Sequence, residues 1–155
     1  MMRNFSEADK KKKQARIQIE ENPGNLSKEL LSKLESAVQA SLKDGYLSCP
    51  AAWRIAKEAN VPKIAVGKIT DRLGVRITNC QIGCFKVDKT IHDNLAHKKI
   101  NDTIIATLER FEKDNELTCA KVFELALQSK LTPMVIADVA NLRNWKIRYC
   151  QLGCF

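Results

Sequence analysis

The chain has 155 residues, 45% hydrophobic and 28% charged, with 26 Lys and Arg against 18 Asp and Glu for a net charge of +8. That composition suits one or two small domains and excludes fibrous, collagenous and low-complexity classes. No apolar run approaches the roughly 20 residues a bilayer span needs, so no membrane partner is expected, whereas the excess of cations is compatible with nucleic acid or another polyanion.

Residues 1–25 read as a charged N-terminal extension. Ser6 can cap a helix running through Gln14 toward Ile19, with Lys10 to Lys13 as a basic cluster; so few apolar positions leave a mobile arm as the alternative. Nothing in this stretch resembles a secretory leader, so the expected compartment is the cytoplasm. There, cysteines are expected as thiols or metal ligands rather than structural disulfides. Asn22-Pro23-Gly24-Asn25 breaks any helix.

From here on the chain repeats itself 70 residues later. Leu47-Ser48-Cys49 returns as Leu117-Thr118-Cys119, and Cys80-Gln81-Ile82-Gly83-Cys84-Phe85 as Cys150-Gln151-Leu152-Gly153-Cys154-Phe155. Without a gap, Trp53 falls on Phe123, Ile55 on Leu125, Ala56 on Ala126 and Ile77 on Ile147. Such a pattern predicts two copies of one small domain: repeat 1 over residues 26–86, and a linker helix with repeat 2 over 87–155.

Ser27 is the expected cap of a long helix with Leu30, Leu31, Leu34, Val38 and Leu42 as its apolar stripe, ended by Asp44-Gly45. Its counterpart carries Ile100, Ile104, Ile105, Leu108 and Phe111 and ends at Asp114-Asn115. Thr90 to His97 are expected to extend that helix backwards. His92 and His97 read as solvated helix residues. A helix opening at Ser48 or Thr118 follows in each repeat, with Pro50 in its first turn in repeat 1. Another begins near Pro62 or Pro133 and ends near Gly74 or Asn144. Val75-Arg76-Ile77-Thr78 and Trp145-Lys146-Ile147-Arg148 then alternate like strands.

Residues 52–72 meet the demands of two closely crossed helices. Ala56 is small at the crossing, and Asn60 tolerates the left-handed turn. Val61 can bury, Val66 and Ile69 pin the second helix, and Ile55 lines the first. At these six positions the segment resembles the helix-turn-helix family, winged-helix-like. Repeat 2 matches with Leu125, Ala126, Leu131, Ile136 and Val139 but has Lys130 where repeat 1 has Asn60. The resemblance implies a mainly α fold of two tandem three-helix repeats, each with a short β segment. It also implies binding of double-stranded DNA, as in a small transcriptional regulator. Its second helix would lie in the major groove, presenting Lys63, Ile64, Gly67, Lys68 and Asp71. The implied DNA contacts are Arg54, Lys57, Lys63, Lys68, Arg72 and Arg76, since Lys and Arg suit guanine edges and phosphates; Gly67 would leave room for close approach. The matching face of repeat 2, Thr132, Pro133, Met134, Ala137, Asp138 and Asn141, has no cation. Repeat 1 is therefore the expected reader, with repeat 2 for packing, homodimer formation or a partner. A β wing is implied over Val75 to Phe85 with a turn near Gly83. Because repeat 2 ends at Phe155, the two β stretches are alternatively expected to pair with each other or across a dimer axis.

The repeat accounts for all six cysteines: Cys49, Cys80, Cys84, Cys119, Cys150 and Cys154. Burial as small apolar residues is the leading expectation. A zinc or iron–sulfur centre stays as an alternative, weakened by the C-x3-C spacing, which leaves sulfurs about 13 Å apart in an extended strand unless Gln81-Ile82-Gly83 turns sharply. A redox-responsive switch through these thiols and a protein-interaction module using Met134 and Ala137 are the rival functions. Trp53 and Phe123, and Phe85 and Phe155, are expected in the core. No phosphate loop, paired catalytic carboxylates or nucleophile arrangement is present, so enzymatic activity and a bound cofactor are not expected.

Overall fold

A computed structural model describes residues 5–84 and 100–155. These residues are mainly helical: α1 (Glu7–Arg16), α2 (Lys28–Ala40), β1 (Tyr46–Ser48), α3 (Cys49–Ala59), α4 (Lys63–Leu73), β2 (Arg76–Thr78), α5 (Asp102–Lys113), α6 (Cys119–Ser129) and α7 (Pro133–Leu142). No described helix is long and apolar enough to cross a membrane.

The helix starts follow from local chemistry. Ser6, Ser27, Ser48, Asn101, Thr118 and Thr132 each accept a hydrogen bond from a backbone N–H of the first turn, satisfying a donor that has no partner inside the helix. In α1 the Asp9 side chain also accepts from the Ser6 N–H at 2.9 Å, completing a capping box. The extension is thus helical where the sequence left helix or arm open. α5 begins at Asp102 behind its cap; Thr90 to His97, His92 among them, and Phe85 lie outside the described residues.

The chain divides into two compact units that do not follow the repeat boundaries. Residues 1–79 form the first together with 151–155, and residues 80–150 form the second. In the first unit the core holds Leu34 and Val38 from α2, Ile55 and Ala56 from α3, Val66 and Ile69 from α4, and Leu47 and Ile77 from the strands. β1 and β2 pair in parallel, Leu47 opposite Ile77, both side chains facing inward. The expected pairing of the two β stretches with each other does not occur. β2 takes as its partner the three residues ahead of α3, and Arg148 makes the equivalent parallel bridge to Thr118 in the second unit. No return strand is needed, because each stretch finds its hydrogen bonds within its own repeat.

The terminal segment joins the first unit by close packing. Leu152 is fully buried. A Cβ at Gly67 would collide with the Leu152 carbonyl oxygen and lie 2.7 Å from the carbonyl carbon. Gly153 has φ +73°, and a Cβ there would lie 2.6 Å from Ile19 Cδ1 and 2.8 Å from Ile64 Cδ1. Both positions therefore need glycine, one for close approach and one also for its backbone. In the second unit the core is Ile104 and Leu108 of α5, Val122 and Leu125 of α6, and Ile136, Ala137 and Val139 of α7, with Ile82 buried from residues 80–84.

Candidate nucleic-acid interface

The turn between α3 and α4 is built as its residues dictate. Asn60 adopts φ 54°, ψ 48°, and the Val61 N–H donates to the Ala56 carbonyl at 3.0 Å. This closes the helix end in the manner of a Schellman motif. Between α6 and α7, Lys130 takes φ 54°, ψ 35°, and Leu131 N–H reaches Ala126 O at 3.0 Å. The two turns match although lysine carries no local preference for that conformation; packing of the flanking helices overrides it. Val61 and Leu131 are half-buried rather than buried.

The six candidate cations fall into two groups. Arg54 and Lys57 are exposed on α3. Lys63 opens α4 with its Nζ 4.4 Å from the centre of the Trp53 ring, a cation–π contact; Trp53 is half-buried rather than in the core. Lys68, Arg72 and Arg76, by contrast, are engaged by carboxylates. Lys68 Nζ lies 3.6 Å from Glu21, Arg72 Nη2 3.9 Å from Glu35 and Arg76 Nη2 3.4 Å from Asp9. Long pairs of this kind between partly exposed groups contribute little, about 0–1 kcal/mol each. Arg76 is also imperfectly housed. Its Nε is buried without a hydrogen-bond partner among the described residues, an arrangement that costs about 1–3 kcal/mol.

α1 adds further contacts to this cover. Lys13 Nζ lies 2.7 Å from Asp71 Oδ1, and Lys10 Nζ donates to the Arg72 carbonyl at 3.5 Å. Phe5 lies under Arg76, 5.5 Å from the guanidinium. No residue of α1 is buried, so charge and hydrogen bonds hold it rather than apolar area. A cleft of about 360 Å3 separates it from α4, lined by Lys10, Lys13, Lys68 and Arg72 with Asp71 and Glu21. Beyond Lys63, the outward face of α4 is thereby occupied. Gly67 lies under Leu152 and Ile64 beside Gly153, while Lys68 and Asp71 meet the extension. Glycine at 67 admits the chain's own backbone. The sequence signal for this cover was modest: Lys10 and Lys13 share a helical face, but nothing local to α4 reports what covers it.

The second unit differs at the equivalent positions. Arg54, Lys57, Lys63, Lys68 and Arg72 correspond to Glu124, Leu127, Pro133, Asp138 and Leu142, and only Arg76 keeps its charge, as Lys146. Leu127 and Leu142 are 82% and 71% exposed, and Asp138 is buried.

The cysteines divide as well. Cys49, Cys80 and Cys119 are buried, Cys150 and Cys154 half-buried, and Cys84 exposed. The sharp turn that the C-x3-C spacing required is present: Gly83 N–H donates to the Cys80 carbonyl at 3.0 Å with Gly83 at φ +71°. It brings the two thiols of the motif into a hydrogen bond. That bond pushes the Cys84 thiol far above its ordinary range, helped by burial of the sulfur and by the neighbouring thiols of Cys80, Cys119 and Cys150. Among the described residues, no set of three or more His, Cys, Asp or Glu is placed to hold a metal ion.

The chain matches no protein-family model, and neither a curated protein nor a solved structure is significantly similar to it.

Proposed function

We propose that the chain is a DNA-binding protein of the helix-turn-helix, winged-helix-like kind, a tandem repeat in which the first copy meets DNA and the second serves packing or a partner. Regulation of transcription is the role the resemblance implies. The reading is carried by one observation: six cations stand on α3, α4 and β2, and five of the six are absent from the same positions of the second copy. The shared fold does not require those charges, so they are available for a task. With α1 in place, Arg54, Lys57 and Lys63 are the cations open to phosphate; Lys68, Arg72 and Arg76 join them once the carboxylates of the extension and α2 are displaced.

The test is affinity for random duplex DNA titrated from about 50 to 200 mM salt. Three neutralised phosphates give a log–log slope of about −2.7, and six about −5.4. Replacing Arg54, Lys57 and Lys63 with Gln removes the binding, whereas Glu124→Gln and Asp138→Asn leave it unchanged. No binding at the low-salt end refutes the reading.

A specific observation favours a second reading, protein contact through the other unit. Leu127 and Leu142 are exposed where repeat 1 has Lys57 and Arg72. Sedimentation of wild type against Leu127→Lys with Leu142→Arg distinguishes it: only an interaction surface loses an assembled species.

A further inference from the structure

Away from the covered face of α4, a pocket of about 260 Å3 opens beside the first turn of α3. Lys43, Ser48, Arg54 and Thr78 are among its walls, and no carboxylate is. The cations that line the cleft under α1, and Arg76, are all within reach of an acidic partner. Lys43 and Arg54 form no ion pair among the described residues. Thr78 is 7% exposed, and its hydroxyl makes no hydrogen bond among the described residues although it borders the pocket. The residue is nine-tenths buried, but its hydroxyl oxygen is not sealed from solvent, so it remains free to bond a group in the pocket. Ser48 Oγ accepts from Ala51 N–H at 3.3 Å as the helix cap, which leaves its own proton to donate. The first turn of α3 adds the partial positive charge of a helix start.

Two cations, two hydroxyl donors and the absence of a carboxylate make this pocket favour an anion. Its size is below the roughly 300 Å3 at which pockets begin to enclose drug-sized ligands, so it suits one small group with its waters. The fold alone does not impose it: the second copy has Glu124 where Arg54 stands and Arg148 where Thr78 stands.

We propose that this pocket binds a tetrahedral oxyanion of the phosphate type, held by Arg54 and Lys43 with the hydroxyls of Thr78 and Ser48. The ligand is either a free phosphate group or a phosphate of a DNA backbone. The proposal stands whether or not the chain binds DNA.

The test uses inorganic phosphate against chloride at matched ionic strength, reading the unfolding midpoint of the full chain by Trp53 fluorescence, with Trp145 replaced by Phe. Phosphate raises the midpoint of the otherwise wild-type protein. Arg54→Gln weakens the apparent phosphate affinity about 10- to 100-fold, as expected for one charged hydrogen bond, and Lys43→Gln weakens it in the same direction. Thr78→Val does so too, while Thr78→Ser restores it. Lys33→Gln, an equal loss of charge on α2, does not. Lys43 and Arg54 lie at the surface, so their variants keep the test valid if Thr78→Val fails to fold. A midpoint no higher in phosphate than in chloride, or a full response in both Arg54→Gln and Lys43→Gln, overturns the proposal. A duplex DNA titration separates the sources. If phosphate competes with DNA and Arg54→Gln weakens both, the pocket seats a backbone phosphate. If phosphate binds but leaves DNA binding or its absence unchanged, the ligand is a free oxyanion.

Discussion

Replacing Gly67 with Ala sets two effects of opposite sign against each other. In an ordinary exposed helix interior, Gly→Ala stabilises by about 1 kcal/mol, because glycine has more conformational freedom to lose. Here the new methyl would meet the Leu152 carbonyl oxygen, with the carbonyl carbon at 2.7 Å and Cα at 3.2 Å. Non-bonded carbons are comfortable at about 3.5–4.0 Å, so residues 151–155 must retreat by about 0.8–1.3 Å. Those atoms are backbone and cannot rotate away. Overpacking of this kind costs about 1–3 kcal/mol. Full release of the fully buried Leu152 costs about 1.5–3 kcal/mol in burial. Set against the propensity gain of about 1 kcal/mol, the net expectation is a loss of up to about 2 kcal/mol. For a domain of this size that lowers the midpoint by up to about 16 °C. Thermal unfolding followed at Trp53 reads the first unit; Trp145 reads the second, whose midpoint stays put if the two melt independently. Leu152→Ala provides the cross-check: because Gly67 and Leu152 act on one contact, the double variant is less destabilised than the two single losses together. A higher midpoint in Gly67→Ala, the outcome of propensity alone, refutes the close approach of the terminal segment to α4.

Three further outcomes follow from the geometry. Asp9→Asn combined with Glu21→Gln removes the extension's hold on Arg76 and Lys68, so DNA affinity rises and the salt slope steepens from about −2.7 to about −4.5; an unchanged slope shows that the extension does not compete with DNA. Lys130→Gly relieves a left-handed backbone that costs an L-residue about 1–2 kcal/mol, partly offset by glycine's entropy, so the second unit gains about 0.5–1 kcal/mol in denaturant unfolding; a loss would mean that the lysine side chain itself contributes. Cys84, although exposed, alkylates slowly and shows no rise in rate through pH 9, the ordinary thiol value, and Cys80→Ala speeds it by removing the largest cause of the shift. The sign for stability is fixed by the same shift: above pH 9 the unfolded chain releases a proton that the native chain keeps, so stability declines as pH rises further.

The helices were legible because each rests on local chemistry: caps at Ser6, Ser27, Ser48 and Thr118, and apolar stripes such as Leu34 with Val38. Asn60 announced its own turn. Lys130 did not, since only its resemblance to the first copy marked it. The partner of β2 was hidden because Tyr46-Leu47-Ser48 is too short for alternation to register. Least visible was the cover over α4. Gly67 read as an opening for DNA because a glycine on a helix face reports only that something comes close, not what. The occupant, Leu152, lies in the other copy of the repeat, and the carboxylates facing Lys68 and Arg76 lie in an extension that has no counterpart there.

The duplication separates architecture from task. Elements that recur in both copies, the left-handed turn at 60 and 130, the bridge to the residue ahead of α3 or α6, and the Cys-Gln-x-Gly-Cys segment with its buried Ile82 or Leu152, serve packing. Their cysteines inherit that explanation first, which lowers the case for redox or metal chemistry at any single thiol. The cations behave in the opposite way. Glu124 and Leu127 occupy the places of Arg54 and Lys57 without altering the helix beneath them, so the fold is indifferent to charge there. Arg54 and Lys43 carry no ion pair among the described residues, and the Thr78 hydroxyl beside them bonds nothing there although solvent reaches it. A cluster of unengaged donors that the fold does not impose at Arg54 and Thr78 is best explained by a ligand that supplies negative charge. For that reason phosphate binding at Arg54 and Thr78 is a sharper first question than DNA binding as a whole.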